Sequence, residues 1–116
     1  MYNMSITKKL NGKKLDVQYA SGEHYRMAYL SDEELRWEFL GELPEGEAPE
    51  GTEPFWSSEI TEDIYNVNWI EQDGLTVSQI LNFRTNTVTA FLTFADDSAR
   101  GGRDHASLQG EFRLVD

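Results

Sequence analysis

The sequence is built largely from short segments in which apolar and polar side chains alternate. In the first of these segments Leu15, Val17 and Tyr19 occupy every second position and polar residues lie between them. A period of two is typical of a β-strand that buries one face and exposes the other. The same pattern returns in residues 25–29 and 35–39 after short turns. The first third of the chain is therefore predicted to form three strands joined by hairpins.

Alternation also governs the second half of the chain, where turn residues separate further strands. Residues 41–56 contain all three prolines and are predicted to form a long surface loop. Residues 95–106 contain Gly101 and Gly102 and are predicted to be a flexible stretch. The remaining predicted strands are 57–60 (a short one), 64–71, 75–83, 88–94 and 108–115.

Seven or eight strands in sequential order, with no convincing amphipathic helix, predict an all-β fold. Such a meander must hide its edge strands, and it does so most simply by closing into a barrel. We therefore expect a closed antiparallel up-and-down β-barrel of the lipocalin-like (calycin) kind. A β-sandwich is the alternative. With 116 residues the chain is expected to form a single domain over residues 1–116.

Charge and cysteine content exclude several classes of function. Ten basic and 21 acidic residues give a net charge of −11, which disfavours nucleic-acid and membrane partners because both are anionic. The chain contains no cysteine, so it offers neither disulfides nor thiolate chemistry. It also contains no apolar run long enough for a signal peptide or a membrane span. A cytoplasmic location is expected.

Metal and cofactor motifs are weak or missing. Residues 42–63 carry acidic residues and no lysine or arginine, a pattern that indicates a solvated loop. A divalent-cation site is the alternative, although the spacing that wraps calcium is not present. His24 and His105 lie on separate segments, so we predict no histidine metal site. Neither a phosphate-binding loop nor a serine nucleophile elbow occurs, and no cofactor is expected.

One face of each strand in a closed barrel points inward, and here that face is rich in aromatic rings. Aromatic walls with a few polar groups are typical of a pocket for a small hydrophobic or aromatic molecule. The alternative is that these rings simply fill the barrel. The predicted inward residues are Val17, Tyr19, Tyr25, Met27, Tyr29, Leu35, Trp37, Phe39, Tyr65, Val67, Trp69 and Glu71.

Glu71 is the one acidic residue in that inward set. It shares the parity of Trp69 and should therefore lie inside the barrel or at its rim. Apolar surroundings disfavour the ionised carboxylate and raise its pKa, which suits a general acid or base near neutral pH. Alternatively Glu71 lies at a wet strand end beside the turn at residues 72–74.

The segment IYNVNWIE at residues 64–71, followed by GLTV at 74–77, resembles a signature strand shared by two related groups. One group is the MoaF-like family and the other is the bacterial phenolic acid decarboxylases, and both have lipocalin-like barrels. The segments from Gly12 through Tyr19 and from Gly22 to Tyr25 are similar to the start of the decarboxylases, whereas QILNF at 79–83 and LQGEF at 108–112 are more similar to the MoaF-like group.

The resemblance to the decarboxylases implies roles for particular residues. Glu71 matches their catalytic glutamate, Tyr19 the second of two carboxylate-binding tyrosines, and Tyr25 a further pocket tyrosine. Val17 replaces the first of the paired tyrosines, and residues 41–60, where the decarboxylases have their functional arginine, contain no arginine. The resemblance therefore implies a related barrel with an altered site.

The expected function is that of a MoaF-like barrel that binds a small hydrophobic or aromatic molecule. An enzymatic alternative is a cofactor-free lyase or isomerase, with Glu71 as general acid/base and Tyr19 and Tyr25 as hydrogen-bond donors. A third alternative is a filled barrel that acts through its surface, for example as a homodimer. The predicted ligand-binding residues are Val17, Tyr19, Tyr25, Met27, Trp37, Phe39, Tyr65, Trp69 and Glu71.

Overall fold

The computed structural model describes residues 4–43, 45–46 and 49–116; Glu47 of the acidic run, with part of the predicted loop, lies outside them. The chain forms a closed barrel in which each of eight antiparallel strands pairs with the next and the last returns to the first. The predicted fold class is therefore confirmed, and a sandwich is excluded. The strands are β1 (Lys14–Tyr19), β2 (His24–Tyr29), β3 (Glu34–Phe39), β4 (Glu50–Thr61), β5 (Ile64–Ile70), β6 (Thr76–Asn82), β7 (Thr87–Ala95) and β8 (Arg103–Val115).

Closure depends on the pairing of β1 with β8, which places Tyr19 opposite Gly110. A Cβ atom at Gly110 would lie 2.2 Å from the Gln18 carbonyl oxygen and 2.7 Å from the Tyr19 Cα atom. The two backbones therefore meet too closely for any side chain at this position.

Strand β4 corrects the prediction of a loop over residues 41–56, because it begins at Glu50 and runs to Thr61. Its first half pairs with β3 and its second half with β5. Pro54 lies where the pairing changes partner, a position that tolerates the missing N–H. Glu53 and Phe55 alternate inward as in any other strand, although the surrounding proline, glycine and glutamate residues resemble a loop.

Strand β8 likewise corrects the flexible stretch predicted at residues 95–106. Pairing with β7 already begins at Arg103, opposite Ala95. Gly101 and Gly102 have positive φ angles and form the turn, within a short 3-10 helix at Arg100–Gly102. The connection between β7 and β8 therefore spans only residues 96–102 instead of the predicted 95–106.

A short helix, α1 (Ile6–Leu10), was not predicted because five residues are too few to show a helical period. The Ser5 hydroxyl caps it by accepting a hydrogen bond from the Lys8 amide. Its apolar residues Ile6 and Leu10 are buried in the core. Helix α1 therefore covers one end of the barrel with apolar side chains.

The two ends of the barrel differ. Helix α1 contacts the connections at residues 30–33 and 62–63, since Thr7 bonds to Asp32 and Lys9 forms an ion pair with Asp63. Edge-to-face contacts between Tyr65 and Phe83 (5.6 Å) and between Phe83 and Phe112 (4.9 Å) fill this closed half. The connections at 20–23, 71–75 and 96–102, with the described residues of the connection between β3 and β4, frame the opposite end, called the mouth here.

Within the described ranges, no helix has the length and apolar character that crossing a membrane requires.

Gly110→Ala is expected to destabilise the barrel by more than about 3 kcal/mol, beyond ordinary overpacking, because backbone rather than a side chain blocks the added methyl group. Gln109→Ala, an exposed change on the same strand, is the matched control and should cost less than about 0.5 kcal/mol. Urea unfolding of both variants measures the difference. Equal stabilities would contradict the close approach of β1 and β8.

Candidate functional site in the open half of the barrel

An internal cavity of about 80 Å³ lies in the open half of the barrel. Its lining is mostly apolar and aromatic, with Glu71 and Gln79 as carboxyl and amide groups. The lining residues are Tyr19, Tyr25, Met27, Trp37, Trp69, Glu71, Leu75, Val77, Gln79, Leu92 and Leu108.

The internal cavity adjoins a wider space at the mouth, the vestibule, of about 880 Å³. Both spaces share Tyr25, Trp37, Glu71 and Leu75, so a molecule can extend from one into the other. The vestibule wall is formed by the starts of β2 and β4, by β3, by the connection at 71–75, and by individual residues of the connections that precede β2 and follow β3. The site is therefore a narrow interior chamber with a broad entrance.

Tyr25 lies at the centre of an aromatic group in this half. Its ring meets Tyr19 at a centroid distance of 6.2 Å, Trp37 at 6.3 Å and Phe39 at 5.3 Å, all edge to face. This arrangement presents ring faces and edges at right angles to one another. The pocket walls can thus contact a planar ligand from several sides.

Trp37 is held in place by both backbone and side-chain contacts. Its indole lies over Gly51, the opposite residue of β4, where a Cβ atom would come within 2.8 Å of the ring. The indole Nε1 donates a hydrogen bond to Glu53 Oε2 at 3.0 Å. Glu53 is only 7% exposed, so this bond stabilises a carboxylate that is largely withdrawn from water.

Glu71 repeats this arrangement on the neighbouring wall. Trp69 Nε1 donates a hydrogen bond to Glu71 Oε2 at 3.1 Å. Burial, with the nearby charges of Glu53 and Asp73, raises the pKa of Glu71 to about 7, although the Trp69 hydrogen bond opposes the change. Glu71 can therefore exist in either protonation state near neutral pH.

At the inner wall of the cavity, Tyr19 and Gln79 form a buried pair. Gln79 Nε2 donates a hydrogen bond to the Tyr19 hydroxyl at 2.9 Å. Burial raises the pKa of Tyr19 to about 12, so its hydroxyl stays protonated at physiological pH. Gln79 is 2% exposed, and its Oε1 has no hydrogen-bond partner among the described residues.

The structure brings most of the predicted site residues together. Tyr19, Tyr25, Met27, Trp37, Trp69 and Glu71 line the internal cavity, and Phe39 lines the vestibule. Val17 and Tyr65 are fully buried but line neither space. Tyr65 packs on Phe83 in the closed half.

Glu53 and Gln79 line the site but are not among the residues that the sequence pattern predicts. The acidic run predicts a solvated loop at Glu53, yet this residue has the parity of Phe55, which is buried. Gln79 has the parity of its buried neighbours Val77 and Leu81. In both cases the inward orientation follows from the alternation of strand positions. The sequence pattern misses it because polar residues are normally expected on the outer face.

Asp16 lies outside the candidate site, on the opposite face of β1 from Val17 and Tyr19, and is itself buried. Asp16 accepts hydrogen bonds from His24 at 2.6 Å and Arg26 at 3.0 Å. Burial acts to raise the pKa of Asp16, but these bonds outweigh it and the pKa is lowered. His105 stacks on Phe91 at a centroid distance of 5.7 Å. No cluster of three or more metal-ligating side chains occurs in the described part of the chain.

A separate groove of about 690 Å³ runs between α1 and β4. It contains neither of the tryptophan–glutamate pairs, and it is bounded by Met4, the first described residue. Large apolar side chains are also exposed on the outside of the barrel, and a homodimer through this surface stays a prediction. They include Trp56, Ile60, Ile70 and Phe91.

The comparisons with known proteins agree with the fold. A protein from Burkholderia vietnamiensis, whose crystal structure is provisionally described as that of a beta-lactamase, superimposes with a TM-score of 0.71 and 28% identity, covering 90% of this chain and 93% of that chain. No curated protein matches the sequence. The sequence model of the MoaF-like family matches residues 11–105, well over half of the chain. The chain therefore belongs to the MoaF-like family.

Proposed function

We propose that this barrel binds a small hydrophobic or aromatic molecule in the internal cavity and vestibule. The observation that carries the proposal is that the two spaces adjoin and share four lining residues, Tyr25, Trp37, Glu71 and Leu75. Sites for small molecules are typically concave and mostly apolar, with a few polar groups that fix orientation. Glu71 and Gln79 supply such groups here, at the mouth and at the inner wall.

The sizes of the two spaces limit the position of the ligand. The internal cavity of about 80 Å³ holds only part of a ring compound, because pockets for drug-sized ligands measure roughly 300–1,000 Å³. The vestibule supplies the remaining volume. A ligand is therefore expected to place an apolar end inside the barrel and its polar end at the mouth.

A second candidate function is proton transfer by Glu71, as in a cofactor-free lyase or isomerase. The observation that favours it is the pKa of Glu71, which at about 7 suits both donation and acceptance of a proton. Tyr19, bonded to Gln79, and Tyr25 would orient the substrate. Hydroxycinnamic acids are the first substrates to test, with vinylphenol as the product to detect. If Glu71 is the acid/base, Glu71→Gln loses this turnover.

A beta-lactamase activity, the description given to the Burkholderia protein, is not proposed for this chain. The described lining of the cavity and vestibule contains Thr52 as its one aliphatic hydroxyl, and no serine, cysteine, lysine or histidine. Acyl transfer from a lactam to a protein nucleophile typically uses a serine or cysteine with a basic lysine or histidine beside it.

Leu92→Trp is expected to weaken binding of a neutral aromatic compound such as 4-ethylphenol at least tenfold, because the larger ring occupies the internal cavity. Thr89→Trp, at an exposed position of the same strand, is the control and should leave the affinity unchanged. Isothermal titration calorimetry measures both affinities. Equal affinities in the two variants, or no binding to the unaltered protein, would contradict ligand binding in the cavity.

Glu71 should also make stability depend on pH. Its folded pKa of about 7 lies above the ordinary value of 4.5, so the folded state binds more protons between these pH values. Its stabilising contribution is then complete below pH 4.5 and is lost as the pH rises through 7. After allowance for solvent at the mouth, the loss amounts to roughly 1–2 kcal/mol.

The free energy of unfolding of the unaltered protein is therefore expected to fall between pH 4.5 and pH 8 by about 1–2 kcal/mol more than that of Glu71→Gln. Urea unfolding at both pH values measures this difference. Glu62→Gln, an exposed change in the turn of the closed end, removes the same charge and should behave like the unaltered protein. If the stabilities of Glu71→Gln and Glu62→Gln depend on pH in the same way, the folded pKa of Glu71 is not raised and its carboxyl is solvated.

A further inference from the structure

Two tryptophan–glutamate pairs stand at the mouth, and each leaves a carboxylate oxygen available. Trp37 Nε1 bonds to Oε2 of Glu53, and Trp69 Nε1 bonds to Oε2 of Glu71. The Oε1 atom of each glutamate forms no hydrogen bond with the described residues. The charge of Glu53 helps to raise the pKa of Glu71, so the two carboxyl groups, which belong to neighbouring walls, repel each other at the mouth. A positive group between them would relieve this repulsion.

The charges around the two spaces are almost entirely negative. Glu23 and Asp73 also line the vestibule, whereas its described lining contains no lysine, arginine or histidine. Among the acids of this described lining, Glu50 alone forms an ion pair, with Arg36. Arg103 approaches the mouth from outside, where it donates to the Gly74 and Thr93 carbonyls. The potential at the entrance therefore favours a cation and repels a carboxylate ligand.

Gln79 supplies an independent indication of what the cavity binds. Its side chain is 2% exposed and lines the internal cavity, and its Oε1 acceptor has no partner among the described residues. An unpaired acceptor in a buried position costs free energy that a hydrogen-bond donor would recover. A ligand with an O–H or N–H on its inner end would satisfy this atom.

The rings between these two polar regions suit the same kind of molecule. Tyr19 and Tyr25, with Trp37 and Trp69, surround the path from Gln79 to the mouth. Aromatic faces attract cations as well as planar rings, and quaternary and protonated amines are commonly bound in aromatic surroundings beside carboxylates. An aromatic ring inside the cavity with an ammonium group at the mouth meets both requirements.

We propose that the ligand of this barrel is an arylalkylammonium ion, a protonated amine on a short chain attached to a ring that carries a hydroxyl or N–H group. Its ammonium group lies between Glu53 and Glu71, and its ring donor bonds to Gln79 Oε1. This inference rests on the proposed function and specifies the chemical class of the ligand. A bare metal ion fits less well, because no group of three metal-ligating side chains exists in the described residues.

Four compounds of similar size test this assignment by calorimetry at pH 8. Tyramine carries the ammonium and the ring hydroxyl, tyrosol replaces the ammonium with a neutral hydroxyl, 4-hydroxyphenylacetate carries a negative charge, and phenethylamine lacks the ring hydroxyl. Tyramine is expected to bind at least tenfold more tightly than tyrosol, and 4-hydroxyphenylacetate is expected to bind most weakly. Phenethylamine should bind several-fold more weakly than tyramine.

Substitutions test which residues cause the preference for tyramine over tyrosol and over phenethylamine. Glu53→Gln and Glu71→Gln each preserve an acceptor for the indole N–H and should reduce the preference for tyramine over tyrosol, and the double variant should abolish it. Glu62→Gln removes the same charge at the closed end and should leave the preference intact. In Gln79→Leu, tyramine and phenethylamine should bind equally. Thermal unfolding of each variant verifies that it remains folded.

Two outcomes would overturn the inference, and they differ in what they leave standing. If tyrosol or 4-hydroxyphenylacetate binds as tightly as tyramine, the cavity is a ligand site but the assignment of a cation is wrong. The cation assignment is equally wrong if the double glutamine variant keeps the full preference for tyramine. If none of the four compounds binds at millimolar concentration, the proposed function fails together with the inference.

Discussion

The pairing of β1 with β8 is the interaction on which the rest of the structure depends. Without it the eight strands would form an open meander with two exposed edges, and the inward faces would not enclose a volume. The pairing demands that the backbones at Gly110 and Tyr19 meet without an intervening side chain. Tyr19, which holds Gln79 at the inner wall, is therefore fixed by the same contact that closes the barrel.

The alternation of apolar and polar residues accounts for most of what the sequence predicts correctly about the strands and the candidate site. It located β1, β2 and β3 to within a residue at each end, because their apolar positions repeat regularly and short turns separate them. It also placed Glu71 beside Trp69, where the structure shows a direct hydrogen bond. Alternation works here because the period of a strand fixes which face each residue occupies, whatever lies opposite.

The features that escaped prediction have a common physical origin. Glu53 and Gln79 are polar residues at inward positions, and their burial depends on partners from other strands, Trp37 and Tyr19, that no local pattern reveals. Strand β4 resembles a loop because its proline and glycine are tolerated by specific neighbours: Gly51 makes room for Trp37, and Pro54 stands at a change of strand partner. Helix α1 is held by burial of Ile6 and Leu10 rather than by helical propensity.

Helix α1 has a kinetic consequence that follows from its position. With one end filled by Ile6 and Leu10, exchange between the interior and bulk solvent runs through the opposite opening. Arrival and departure of any guest then share one route, past the indoles of Trp37 and Trp69. A substitution at this bottleneck would change association and dissociation rates in parallel, while a substitution deeper in the chamber would act on residence time.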